Sequence, residues 1–241
     1  MRQADEGGKM TFRPEAPASQ PDNRHPDYRS TVTRGPRHDP IHAAQGPTEL
    51  SGPRFSSALL YHHCDDLTRQ GRNGAEPQGQ RIIVAGRVLD EAGQPVRGGF
   101  IEIWQANAAG RYDHPLDTHD APLDANFTGA GRVMTGEDGS YRFTSIRPGC
   151  YPWRNHANAW RPAHIHFSVF GESMLQRLVT QMYFPGDPLL DIDPIFQSVP
   201  SAAARERLVA KFDLPLTQPE FALGYRFDIV LRGPDGTPPQ A

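Results

Sequence analysis

The chain reads as an all-β protein: a β-sandwich of mostly antiparallel strands with a long N-terminal arm and one or two short helices. Three observations predict this. The 23 glycines and 24 prolines among 241 residues cut the chain into short pieces joined by turns and leave little room for long helices. Several runs alternate apolar and polar side chains with the period of two that a half-buried strand requires. Turn signals such as Asp138-Gly139 and Arg147-Pro148-Gly149 punctuate those runs at the spacing of a sandwich.

Residues 1–57 are rich in Pro, Arg, His and Asp and carry no sustained hydrophobic period. Such a stretch cannot bury enough apolar surface to fold alone. It is expected to be an arm, disordered or laid over its own domain or a neighbour's, which leaves 58–241 as the sandwich domain. Residues 59–67 predict a short helix or turn. Residues 82–89 predict a first strand, closed by the turn at 90–95, and 100–104 a second with clear alternation. Further strands are expected at 141–143, 163–170, 178–184 and 225–231. Residues 201–212, favoured by Ala and Leu, predict a helix.

With 25 basic and 28 acidic residues, the net charge of −3 makes no electrostatic case for nucleic acid or an anionic membrane. Cys64 and Cys150 alone are too few for a disulfide framework. No run of about 18 apolar residues occurs, and the first residues lack the apolar core of a signal peptide. A cytoplasmic protein is expected.

The sharpest local feature is Arg161-Pro162-Ala163-His164-Ile165-His166-Phe167. On a strand, side chains at i and i+2 share a face, so His164 and His166 project together while Ile165 points away. Two imidazoles so placed can bind one metal ion, or can lie as a polar pair on a solvated face. Tyr112, after Gly110-Arg111, and Tyr151, after Gly149-Cys150, read either as packing residues or as side chains aimed into a cleft from turns. The remaining histidines are weaker candidates. His62 and His63 are adjacent and diverge, His25, His38 and His42 lie in the arm, and His114, His119 and His156 fall in loops.

Taken together, these residues resemble the intradiol ring-cleaving dioxygenase family. The resemblance is carried by Tyr151-Pro152-Trp153-Arg154-Asn155 and Asn158-Ala159-Trp160-Arg161-Pro162-Ala163-His164-Ile165-His166-Phe167. Trp104-Gln105-Ala106-Asn107, Gly110-Arg111-Tyr112 and Gln181-Met182-Tyr183-Phe184-Pro185-Gly186-Asp187 fit the same pattern. It runs from about residue 25 to the end of the chain. It implies a non-haem Fe(III) site, one per chain, with Tyr112, Tyr151, His164 and His166 as ligands. Ferric iron is hard and highly charged and prefers anionic oxygen donors, with imidazole acceptable. It further implies that Tyr151 leaves the metal and acts as a base, that Arg161 stabilises charge developing on the ring, and that Gln181 orients oxygen intermediates.

The resemblance is narrowest to members that cleave protocatechuate with O2 and whose metal-bearing β chain pairs with a related α chain. For the substrate carboxylate it points to Tyr28 and Arg34, and for the ring walls to Trp153 and Ile195. Cys150, directly before Tyr151, departs from the pattern, and strand alternation should turn its thiol away from the metal. Two other readings stay open: an intradiol enzyme for catechol, hydroxyquinol or another substituted catechol, and a non-catalytic sandwich module that packs its tyrosines in the core.

Overall fold

The structure, a computed structural model, describes residues 13–21, 51–71, 74–153 and 160–240. Two sheets form the sandwich. In the first, β1 (Arg81–Leu89) lies antiparallel to β4 (Ser140–Ile146) on one side. On the other it runs parallel to β10 (Leu223–Arg226) and β11 (Ile229–Val230), with β9 (Lys211–Phe212) antiparallel to β10. The second sheet is antiparallel throughout, in the order β3 (Ala130–Met134), β2 (Phe100–Gln105), β7 (His164–Phe170), β8 (Arg177–Tyr183). A separate two-stranded ribbon joins β5 (Tyr151–Pro152) to β6 (Trp160–Arg161).

Alternation sets the core. Ile82, Val84 and Val88 of β1 and Tyr141 and Phe143 of β4 face Ile101 and Ile103 of β2 and Ile165, Phe167 and Val169 of β7 within one buried cluster. Phe167 bridges the layers, its ring 6.1, 5.9 and 5.3 Å from those of Tyr141, Phe143 and Phe227.

Two expected elements differ in detail. The strand expected at 225–231 is interrupted at Phe227 and Asp228. There the Phe227 carbonyl accepts from the Tyr141 hydroxyl, and the Asp228 carboxylate accepts the Arg87 N–H at 2.9 Å. The helix expected over 201–212 is shorter. After α1 (Pro194–Gln197), α2 spans only Ala202–Glu206, capped by Ser201. Beyond it, Leu208 and Ala210 pair with Tyr183 at the open edge of β8 (2.8 and 2.9 Å), so sheet pairing overrides helical propensity. Near residue 60, the chain forms a 3-10 turn at Ser57–Leu59.

Residues 13–21 and 51–57 lie against the sandwich. The Ala18 carbonyl accepts from Ser201 N–H at 2.9 Å, and the Phe55 ring stacks on Phe100 and meets Phe170 edge-on, each at 4.6 Å. Among the described residues, no helix is long and apolar enough to cross a membrane.

Phe167→Ala is expected to cost about 3–5 kcal/mol, measured as a lower urea midpoint at unchanged m. A loss under about 1 kcal/mol would mean that the layers do not depend on this ring.

Candidate metal centre

β7 is central in its sheet, and its face opposite Phe167 is buried as well. His164 and His166 are both buried there, not solvated. The His164 Nδ1–H donates to the Pro162 carbonyl at 2.7 Å. A carbonyl can only accept, so His164 carries its proton on Nδ1 and leaves the Nε2 lone pair free. His166 is held the same way, its Nδ1 3.0 Å from Gln240 Oε1, while the Trp104 indole stacks flat on its ring (4.8 Å, 3°).

The tyrosines arrive from two chain segments clamped together. Asn107 Oδ1 accepts from Ala109 and Arg111 N–H, both at 3.0 Å, closing the turn that precedes Tyr112. Gly149 N–H donates to the Asn107 carbonyl at 2.9 Å. Gly110 is required at this seam: its φ is +79°, and a Cβ would fall 2.1 Å from the Cys150 carbonyl oxygen. Asp117 Oδ2 then fixes the Tyr112 N–H at 2.8 Å. Tyr151 sits on the ribbon directly opposite Arg161, and Cys150 is exposed.

The four side chains converge. Tyr112 Oη lies 3.1 Å from His166 Nε2 and Tyr151 Oη 3.4 Å from His164 Nε2. The phenol rings meet edge to face at 5.5 Å, and the imidazole centroids are 4.8 Å apart. Burial drives both phenols above their ordinary pKa. For Tyr112 the neighbouring Tyr151 adds to the rise, and for Tyr151 the Arg161 charge partly offsets it. Burial, then the Arg161 charge, lowers His164 well below its usual value and His166 to about 3. Without a metal ion the centre is therefore two neutral phenol–imidazole pairs. This donor set suits a hard, highly charged cation, which would take the place of the phenolic protons. Among the described residues, no three His, Cys, Asp or Glu side chains form another metal cluster.

Arg161 is buried beside the centre. Its Nε and Nη2 donate to the two Asp193 carboxylate oxygens at 2.8 and 3.2 Å, and Nη2 also donates to Gln181 Oε1 at 2.6 Å and to Tyr183 Oη at 3.2 Å. Burial opposes its charge, but Asp193, Tyr183 and Tyr151 outweigh that and keep it protonated. Asp193 is itself buried, and caps α1 by accepting the Phe196 N–H at 3.2 Å. Neither Asp193 nor Gln240 was a sequence candidate. An Asp directly before Pro194 is a cap signal, but its bond to Arg161 spans 32 residues.

A cleft of about 510 Å³ opens from Tyr112 and Tyr151, with Trp104, Leu116, His119 and Trp153 among its walls. Trp153 also lies under the Arg161 guanidinium, 5.1 Å from ring centroid to Cζ. Ile195 is buried in α1 and is not among the residues lining the cleft. Tyr28 and Arg34 fall outside the described residues.

Comparison with known proteins identifies the family. The family described as "Dioxygenase" matches residues 50–233, and "Protocatechuate 3,4-dioxygenase beta subunit N terminal" matches residues 12–45. The chain belongs to the intradiol ring-cleaving dioxygenase family, whose members generally depend on non-haem iron. It is 57% identical over 220 residues to the protocatechuate 3,4-dioxygenase beta chain of Burkholderia cepacia, covering 91% of this chain and 93% of that one. The alpha chain of the same enzyme and organism is 30% identical over 200 residues, covering 80% and 95%. In fold, the chain resembles 3-chlorocatechol 1,2-dioxygenase of Rhodococcus opacus (TM-score 0.53, 23% identity, 81% and 69% covered).

Asp193→Ala leaves a buried guanidinium without its counter-charge and is expected to destabilise the chain by about 3–5 kcal/mol. Denaturant titration measures it. A change within about 0.5 kcal/mol would mean that Arg161 does not need this partner.

Proposed function

We propose that this chain is the iron-bearing β subunit of a protocatechuate 3,4-dioxygenase. In this reading it acts in the cytoplasm on protocatechuate and O2, cleaves the bond between the two hydroxylated carbons and gives 3-carboxy-cis,cis-muconate. The observation that carries the reading is the approach of two phenol oxygens to two imidazole nitrogens, in a chain so similar to a protocatechuate 3,4-dioxygenase beta chain. Tyr112, Tyr151, His164 and His166 would hold one Fe(III). When bound, the iron supplies the Lewis acidity and redox character that make a catecholate reactive towards dioxygen.

The chain's own residues account for the rest. Tyr151, on the ribbon opposite Arg161, would be a phenolate when it holds the metal, and in that form would accept a proton from a substrate hydroxyl. Arg161 keeps its charge in a dry environment, where it stabilises negative charge on the ring more strongly than it could in water. Asp193 and Gln181 hold the guanidinium in place, and Gln181 is also proposed to orient oxygen intermediates. Trp153 gives the flat ring a wall, and Tyr28 and Arg34 are proposed to bind the substrate carboxylate. Ile195 remains proposed as a second apolar wall. Residues 1–57 are proposed as an arm that reaches a related α subunit.

Aerobically purified protein is expected to be red from ferric tyrosinate charge transfer, and protocatechuate added without oxygen should shift the band. A chain still colourless after iron reconstitution with its partner would refute the metal assignment. Tyr28→Phe should raise KM for protocatechuate more than for catechol. Equal effects on both substrates in steady-state kinetics would remove Tyr28 from the carboxylate pocket.

A further inference from the structure

Residues 233–240 follow β11 and cross from one sheet of the sandwich to the other. They first fold back on β11, with Thr237 N–H donating to Val230 O at 2.8 Å and Val230 N–H to Thr237 Oγ1 at 3.0 Å. They then reach β8, where Thr180 Oγ1 donates to Pro238 O and Gln240 N–H to Val179 O, both at 2.7 Å. Thr180 and Thr237 are fully or almost fully buried, so this strap is part of the body and not a loose tail. From that anchorage the Gln240 side chain passes over β8 to His166 on β7, 74 residues away in sequence.

Two amides compete for the same imidazole nitrogen. Gln240 Oε1 is 3.0 Å from His166 Nδ1, and Gln181 Nε2 is 3.5 Å from it. Gln181 cannot turn its oxygen to the ring, because Arg161 and Tyr183 both donate to that oxygen, each at 2.6 Å. It can offer His166 only N–H. If Nδ1 accepted from Gln181, the ring proton would sit on Nε2, and the nitrogen facing Tyr112 would be blocked. If Nδ1 donates to Gln240, Nε2 presents a lone pair. Which nitrogen binds a metal is set by the bond the other one makes.

The geometry points to Gln240 as a positioning residue that selects the metal-binding tautomer of His166, with residues 233–240 as the strap that delivers it. This rests on the iron reading above. The strap's own anchors are the Gln240 N–H and the Pro238 carbonyl, both backbone atoms, so changing the Gln240 side chain removes the acceptor and leaves the docking intact.

The test uses the full chain loaded with iron and compares it with Gln240→Ala and Gln240→Glu. Three quantities are read: the rate of iron removal by excess chelator, the position of the tyrosinate absorption band, and the melting temperature of the metal-free chain. Gln240→Ala is expected to lower iron affinity by about 10–100-fold, seen as faster removal, with a shifted band and a melting temperature within about 2 °C of the parent. Gln240→Glu, whose carboxylate accepts but cannot donate, should restore retention. Equal removal rates in all three chains would overturn the proposal. So would equal losses in Ala and Glu with a lowered melting temperature, which would mark Gln240 as merely structural. An unmodified chain that takes up no iron would defeat the metal reading, and this inference with it.

Discussion

β7 is buried on both faces, and the rest of the molecule follows from what each face must be given. Ile165, Phe167 and Val169 join the apolar core between the sheets. His164, His166 and Ser168 point the other way and are equally buried. Polar groups taken out of water must be paired. The ribbon with Tyr151, the turn with Tyr112 and the strap with Gln240 all meet that demand. The candidate centre is the polar lid of a strand that would otherwise expose its second face.

Arg161 adds a permanent charge to this dry region. Asp193 offsets that charge, and Gln181 and Tyr183 add hydrogen bonds on the same side of the guanidinium. One residue thereby pairs with Tyr151 in the ribbon, stacks over Trp153 and sets the electrostatic environment of the neighbouring phenols and imidazoles. A buried cation next to two neutral imidazoles and two phenols favours anions there, which is the sign of charge that an ionised catechol brings.

Much of this was legible in the sequence, and the reasons are local. The i, i+2 rule placed His164 and His166 on one face before any fold was known, and period-two runs located β1, β2, β7 and β8 closely. The motifs around Tyr112 and Tyr151 named the two phenols that the fold brings beside those histidines. Partners that arrive through tertiary pairing could not be read. Asp193 and Gln240 meet their targets across 32 and 74 residues, and nothing in spacing or composition links them. The helix expected at 201–212 ends early for a related reason: the edge of β8 needed backbone partners, and residues 208–210 supplied them. What the sequence does not show of Ile195 is its place in α1, where it is buried.

The contact between Gly110 and the Cys150 carbonyl bears on how such a site can change over time. The spacing of the two tyrosines is set where backbone meets backbone, with no side chain between the segments to be trimmed or enlarged. The walls of the cleft, by contrast, are built from replaceable side chains such as Leu116, His119 and Trp153. Shape and polarity around the ring can drift while the donor set keeps its dimensions. A family on this plan can diversify over many aromatic substrates without rebuilding the chemistry that opens them.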